Sequence, residues 1–400
     1  MTPRLYQFPA MTPLSIRLLS RTRMAPIRVG LIGLPGSPTD KYEGANWTAI
    51  AHLPYLTKTP HYEIVALLNS STESARAAVQ KYHLPDKTRT YGDPADLAND
   101  PEVDLVVCSV RVDRHFQTVK PSLIAGKTVF VEWPLDRNAQ VAREMTALAA
   151  QHQARTIVGL QSGMAPILRK VREVLKSDAI GRVVSSWFVG SAGNDLDRGS
   201  RAMRYFLDRE VGGSMMSIHV GHGIETVTTV LGQFNSLNSS IAITRPTLDI
   251  VDTRPDTDGK VLEKNAPNTV PDNILIYGTA GESNAPVQLT IHAGKEFPGT
   301  PRLDWRIQGE RGWIRVTSPY LFLNVGHPET KVQIYRNETD QTEEIVADGD
   351  EWDALPTTAQ NIARLYEAYR KDEWYPSFEW ALKRHEAIEG MWKRFDAEQK

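Results

Sequence analysis

Ile27-Arg28-Val29-Gly30-Leu31-Ile32-Gly33-Leu34-Pro35-Gly36 decides how the rest of the chain reads. It begins as an apolar, β-branched run of strand length and ends in glycines. Residues 46–56 then have helical character, with Asn46 placed as an N-cap. Strand, glycine turn and helix come in the order a dinucleotide site needs. Glycine lets backbone N–H groups approach a pyrophosphate, and a helix N-terminus adds free donors and partial positive charge. Gly33, Leu34 and Gly36 are therefore candidate coenzyme contacts. The spacing departs from G-x-G-x-x-G, and an insertion-like stretch, Ser37 to Gly44, follows. On its own the motif also fits a glycine turn that holds no phosphate.

Downstream, strand and helix patterns alternate. Strands are predicted at 64–68, 104–110, 128–131 and 156–159. Helices are predicted at 72–82, 113–125 and 138–151, with Ser70 or Ser71 capping the first. The 104–110 run is continuously apolar, as expected of a strand buried on both faces. Such repeats imply a doubly wound α/β domain over residues 25–159. The second half, 160–400, has a different texture. Helices at 165–176 and 221–231 are followed by short runs between 236 and 335, split by glycine, proline and charge, which suits a largely antiparallel sheet. Asp252 to Thr269 reads as a surface loop. Two amphipathic helices, 356–371 and 377–395, end the chain, their aromatics packing back on the body.

With 400 residues, two domains are the default. A hydrophobic content of 41% and a charged content of 24% describe a globular chain, and a net charge of −2 makes no case for nucleic acid or an anionic membrane. No run is apolar and long enough to span a bilayer. The lone Cys108 excludes an internal disulfide framework, suits a reducing, cytoplasmic compartment, and reads as buried filler. Residues 1–24 carry Arg4, Arg17, Arg21 and Arg23 and no acid. They read as a disordered extension, with a mitochondrial transit segment as the alternative.

Several positions follow from the sheet rule alone. Ser109, Val110 and Arg111 close a strand whose end points into the ligand crevice of such sheets. Gln161 follows the last of these strands and is a pocket candidate. Asn69 and Ser70 lie where a dinucleotide fold often carries the acid that accepts from the adenosine ribose. Without a carboxylate there, the reading leans to NADP over NAD. The same residues also serve as a helix cap.

Four stretches carry a family resemblance: Val29–Gly36; His115 followed by Ala125-Gly126-Lys127; Val131-Glu132-Trp133-Pro134; and Gly212-Gly213-Ser214 leading to His219 and His222. Together they resemble the glucose–fructose oxidoreductase / inositol dehydrogenase / MocA family, and the Trp133 variant resembles its fungal branch, which includes a galactose-pathway transcriptional repressor. The resemblance implies an N-terminal Rossmann domain and a C-terminal α+β substrate and dimerisation domain. It implies Glu132 at the nicotinamide ribose, Pro134 shaping the turn, His115 near the coenzyme, and a homodimer. The family places Lys where Trp133 stands. Indole has no proton to give near neutral pH, so it serves as a pocket wall or stacking surface. His219 and His222, poised near neutral pH, are then the candidates for proton transfer, with Tyr205 in support. A metal pair lacks a third ligand at a diagnostic spacing.

Two functions compete on this reading. One is an oxidoreductase passing hydride to or from a small carbonyl, alcohol or sugar-like molecule, in fungal secondary metabolism by resemblance. The other is an inactive dinucleotide-binding co-regulator that docks a transcription factor.

Overall fold

The computed structural model describes residues 25–36, 46–194, 197–254 and 257–399. The expectations for 1–24 and for the insertion Ser37 to Gly44 lie outside the described residues. The apolar run at Ile27 forms β1 (Ile27–Ile32). Parallel to it lie β2 (Tyr62–Leu68), β3 (Arg89–Tyr91), β4 (Leu105–Cys108), β5 (Thr128–Val131) and β6 (Thr156–Val158). Their order is β3-β2-β1-β4-β5-β6, so strand addition reverses direction between β1 and β4. The crevice that opens there, at the C-terminal strand ends, is where such sheets bind ligands. The connections carry α1 (Leu53–Leu56), α2 (Thr72–Lys81), α3 (Pro94–Asn99), α4 (His115–Ile124) and α5 (Ala139–Gln151). Asn46 Oδ1 accepts from the Ala49 N–H, Ser71 Oγ from Ser74 and Asn138 Oδ1 from Val141, so the caps fall where short polar side chains compete for the first free amides. The helix after the glycine turn begins as a π-helical turn, Thr48–His52, before α1.

Every residue of β4 is buried, and its side chains alternate between two cores. Val106 and Cys108 face a core shared with Val119, Leu123 and Ala142 of α4 and α5. Leu105 and Val107 face another, shared with Phe130 and with Ile362, Leu365 and Tyr366 near the C-terminus. Burial pushes the Cys108 thiol up to about 12, so it stays an inert apolar filler.

The second half holds α6 (Pro166–Lys176), β7 (Val183–Ser191), β8 (Arg198–Ser200), α7 (Val220–Leu231), β9 (Phe234–Ala242), β10 (Thr247–Val251), β11 (Val261–Pro267), β12 (Asn273–Ala280), β13 (Ala285–His292), β14 (Leu303–Gly309), β15 (Gly312–Ser318), β16 (Lys331–Arg336), β17 (Gln341–Ile345), α8 (Thr357–Arg370) and α9 (Phe378–Glu398). Eight of these strands form one sheet in the order β17-β16-β15-β14-β7-β13-β12-β9. It is antiparallel except for the parallel pair β7–β13. The chain is thus an α/β protein, a Rossmann-type parallel sheet followed by a large, mostly antiparallel one. In β7, Ser186 and Phe188 are buried while Trp187 and Val189 stay exposed, the period-two signature of a sheet with one solvated face.

The stretch expected to be a surface loop, 252–269, is corrected in part. Residues Val261–Pro267 form β11, which pairs antiparallel with β10, and β10 pairs parallel with β8. The polar centre of β11, Glu263-Lys264-Asn265, hid it by breaking any apolar alternation, and only Ala266 of the strand is buried. The tail helices pack as expected. Tyr366 of α8 is fully buried under the first sheet, and Arg384 of α9 makes a buried ion pair with Glu225 of α7 at 2.7 Å.

Candidate active site

The glycine turn owes its shape to close contact between strand ends. Gly33 has φ +90°, and a Cβ there would lie 2.6 Å from the Ser109 carbonyl oxygen and 2.8 Å from Val110. No L side chain fits that position. The Gly33 N–H continues the ladder to the Leu68 carbonyl at 3.1 Å, so Gly33 lines the cleft without offering its amide to it. Thr48 Oγ lies within hydrogen-bond reach of both the Gly33 and the Ser109 carbonyls, at 3.0 and 3.1 Å. It ties the first helical turn to both strand ends.

A cleft of about 520 Å³ opens at this point. One wall comes from the first sheet: Gly33, Pro35, Asn46, Trp47, Thr48, Ser109, Val110, Arg111, His115, Glu132, Trp133, Pro134 and Gln161. The other comes from the second half, with Tyr205, Phe206, His222, Tyr320, Phe322 and Asn324 among its residues. Of the positions singled out in the sequence, Leu34, Gly36, Asn69, Ser70 and His219 do not line it. The Leu34 side chain is fully buried in the core. Gly36 is packed on α2, where a Cβ would meet the Ser74 carbonyl at 2.4 Å. Asn69 donates from Nδ2 to the Leu34 carbonyl at 2.7 Å, holding the turn rather than pointing at the cleft. Ser70 is exposed beside it, and Ser71 caps α2.

Glu132 directly follows β5, with its carboxylate held from behind. Tyr366 donates its hydroxyl to His52 Nδ1 at 2.8 Å, and His52 donates from Nε2 to Glu132 Oε1 at 2.9 Å, the tautomer a carboxylate acceptor requires. His52 is fully buried. This relay has little local signature in the sequence beyond the face that Thr48 and His52, one helical turn apart, share. His115 is tied at both ends, its Nδ1 lying 3.0 Å from the Pro134 carbonyl and its Nε2 3.0 Å from that of Val110. It staples the end of β4 to the turn after β5. Arg111 is paired with Asp113 through two contacts of 2.6 and 2.7 Å, with its guanidinium 5.9 Å from the Tyr205 ring.

Trp133 is only 6% exposed, and its Nε1–H donates to the Ser217 carbonyl at 3.0 Å. Gly221 makes room for the indole, since a Cβ there would lie 2.5 Å from Nε1. The ring also tilts against His385 at 4.6 Å. The indole is thus a wall anchored to the opposite half, and its one donor is engaged.

His219 ends a π-helical turn, Met215–His219, and His222 lies in α7; both rings meet Phe322, at 5.0 and 5.7 Å. The expectation that they are poised near neutral pH is corrected. Burial drives His219 down to about 4 and His222 to about 3, the latter helped by His219 itself. Both rings are therefore neutral at physiological pH and act as hydrogen-bonding groups, not as ready acids. Burial raises the Tyr205 hydroxyl. Among the described residues, no group of three or more His, Cys, Asp or Glu is placed to hold a metal ion.

Four residues that line this cleft, Trp47, Gln161, His222 and Asn324, each hold a buried polar atom without a protein partner, Nε1, Oε1, Nδ1 and Oδ1. Asn324, Tyr320 and Phe322 come from the segment after β15, which carried no pattern that could have revealed them.

Two family models match the chain in succession, an oxidoreductase family with an NAD-binding Rossmann fold over residues 27–160 and the C-terminal domain of Gal80p over residues 166–318. The chain is 33% identical over 355 residues to dehydrogenase aclE of Aspergillus oryzae, covering 86% of this chain and 92% of that protein. It is 25% identical over 328 residues to the galactose/lactose metabolism regulatory protein GAL80 of Saccharomyces cerevisiae, covering 74% and 70%. The crystal structure of a Gal80p super-repressor variant from the same yeast superposes with a TM-score of 0.81 at 23% identity, over 92% of this chain and 96% of that one, which shows a shared fold. Fold and cleft define a Rossmann NAD(P)-binding protein whose second half closes over the strand ends. With dehydrogenase aclE aligned along nearly its whole length, the chain belongs to the Gfo/Idh/MocA oxidoreductase family.

Proposed function

We propose that the protein is an NAD(P)-dependent oxidoreductase acting on a small organic carbonyl or alcohol. The observation that carries this reading is the cleft at the strand reversal, lined by residues of both halves, with Glu132 held at it by the buried His52. In this reading, amide donors at the start of the 48–52 turn hold the diphosphate. Glu132, steadied by His52 and Tyr366, accepts from a ribose hydroxyl. The nicotinamide supplies or takes the hydride. His222, with Gln161 and Asn324, holds the substrate oxygen, and Tyr205 closes that side. His219 packs on the same Phe322 ring as His222. Trp133 forms a wall and takes no part in proton transfer. NADP is preferred over NAD, because Asn69 and Ser70 place no carboxylate near the 2′-position and Arg76 is exposed one turn further on. A homodimer forms across the open face of the large sheet, where Trp187 stacks on Trp313 at 5.6 Å.

Titration with each coenzyme, followed by tryptophan emission and melting temperature, tests the coenzyme step. No response to either at millimolar concentration refutes it. His222→Ala should lower turnover at least about tenfold with coenzyme affinity unchanged; unaltered turnover removes His222 from the chemistry.

One observation favours a second reading. The indole N–H of Trp133 is engaged with Ser217 and both neighbouring histidines are held neutral, so the site lacks a group titrating near pH 7 among those expected to transfer the proton. A dinucleotide-responsive co-regulator that docks a transcription factor needs none. In that case an acidic activation peptide binds in a coenzyme-sensitive way and no carbonyl substrate is turned over.

A further inference from the structure

Tyr205 brings a phenol from the second half to the strand ends of the first. It lies in a short helical turn, Arg201–Leu207, and lines the cleft. A Cβ built on Gly213 would lie 3.0 Å from the Tyr205 ring and 3.1 Å from Val112, so a glycine there lets the ring approach the segment that follows β4. Phe206 meets the ring edge-on at 5.4 Å, and the Arg111 guanidinium lies 5.9 Å from its centroid. Among the described residues the Tyr205 hydroxyl has no hydrogen-bond partner, and it is not among the buried polar atoms left unpaired. It is therefore open to the cleft that the residue lines.

The charges around this phenol suit proton transfer. Asp113 grips Arg111 through two contacts of 2.6 and 2.7 Å and so fixes the guanidinium. Arg204, the neighbour of Tyr205 in the chain, pairs with Glu263 of β11 at 3.0 Å. Burial raises the phenol, the Arg111 charge opposes that, and Asp113 adds to it. Tyr205 thus keeps its proton at neutral pH, and Arg111 stands beside the phenolate once the proton leaves. Other groups at the cleft lack such a proton. The Trp133 N–H is engaged with Ser217, His115 is tied to carbonyls through both ring nitrogens, and His222 is held neutral by burial. Tyr320, the other phenol lining the cleft, packs on Phe322 at 5.4 Å in the segment after β15.

Building on the oxidoreductase reading, we propose that Tyr205 is the proton donor of the reaction and that Arg111, oriented by Asp113, is its charge partner. In the reducing direction the carbonyl carbon takes the hydride lost by the reduced nicotinamide, the C=O π pair moves to oxygen, and Tyr205 Oη gives its proton to that oxygen. The product is an alcohol, the coenzyme is left oxidised, and the phenolate beside Arg111 recovers a proton from water at the open cleft. An alkoxide is a stronger base than a phenolate, so the transfer runs downhill even from a phenol raised by burial.

Two measurements on the full chain test this. In the first, tyrosine labelled with carbon-13 at Cζ is titrated by NMR, with Tyr205→Phe assigning the resonance. Arg111→Gln should move the Tyr205 titration upward in pH, and Arg111→Lys, which keeps the charge, should move it less. In the second, reduction of 4-nitrobenzaldehyde is followed through loss of reduced-coenzyme absorbance. Tyr205→Phe, which keeps the ring and its packing, should lower kcat at least about 100-fold with coenzyme affinity unchanged. Turnover that survives in Tyr205→Phe, or that is lost in Tyr320→Phe instead, overturns the proposal and leaves the oxidoreductase reading standing. A Tyr205 titration indifferent to Arg111→Gln removes Arg111 as its charge partner. No turnover by the wild-type chain with either coenzyme refutes the oxidoreductase reading, and the proton-donor role falls with it.

Discussion

Gly33 shows how one residue sets the geometry of the cleft. Its φ of +90° and its distance of 2.6 Å from a built Cβ to the Ser109 carbonyl act together. Gly33→Ala should cost on the order of 2 kcal/mol or more, from the backbone term plus displacement of β4's end. Thermal melts should show the loss together with weakened coenzyme binding; an unchanged melting temperature would mean the turn relaxes freely. The buried histidines make a pH prediction. His385 accepts the Leu135 N–H at its Nε2 at 3.2 Å, and burial, with Arg143 and His115 nearby, holds it down to about 3. His219 and His222 lie at about 4 and about 3. Between those values and the ordinary 6.5, the unfolded chain binds more protons than the folded one. Stability therefore rises with pH through that window and falls on acidification, by up to about 1.4 kcal/mol per pH unit for each histidine. Urea denaturation across the window should show that slope, and His385→Gln should reduce it. A flat profile would show that these rings stay exposed to protons when folded.

At the scale of elements, α9 is fastened to α7 by charge inside the fold. Arg384 donates to Glu225 at 2.7 Å, to Thr228 at 2.8 Å and to Gln233 at 2.8 Å, while Trp380 Nε1–H lies 3.0 Å from both Glu225 oxygens. The Arg384 and Glu225 side chains are 2% and 0% exposed. Removing one partner strands the other without water, so Arg384→Leu should destabilise by about 3–5 kcal/mol. Arg384→Leu combined with Glu225→Leu should recover part of that loss in chemical denaturation; a double variant less stable than the sum of its parts would refute the coupling. The same logic places α8. Tyr366 sits against the first sheet and reaches His52, so the helix that covers the Rossmann sheet also steadies Glu132 at the cleft.

For the whole molecule, the open sheet face is the unfinished surface. Trp187, Val189 and Tyr277 remain exposed there. Sedimentation should show a dimer, and Trp187→Asp should yield a monomer that still binds coenzyme; a wild-type monomer would refute dimerisation through this face. How much of this was legible in the sequence follows range of interaction. Period-two and period-3.6 apolar patterns, caps such as Ser71 and Asn138, and the Ile27–Gly36 turn are local. They determined the strands of the first sheet other than the short edge strand β3, its longer helices and the position of the crevice, because each depends on residues within a few positions of one another. Strands such as β11, exposed along most of its length, left no such trace and needed a partner strand to exist at all. The cleft's other wall, with Phe322 and Asn324 brought against His222, the Tyr366–His52–Glu132 relay, and the burial that neutralises His219 and His222 were decided only by tertiary structure. Desolvation and packing are properties of what surrounds a residue in space, and those neighbours lie tens to hundreds of positions away in the chain.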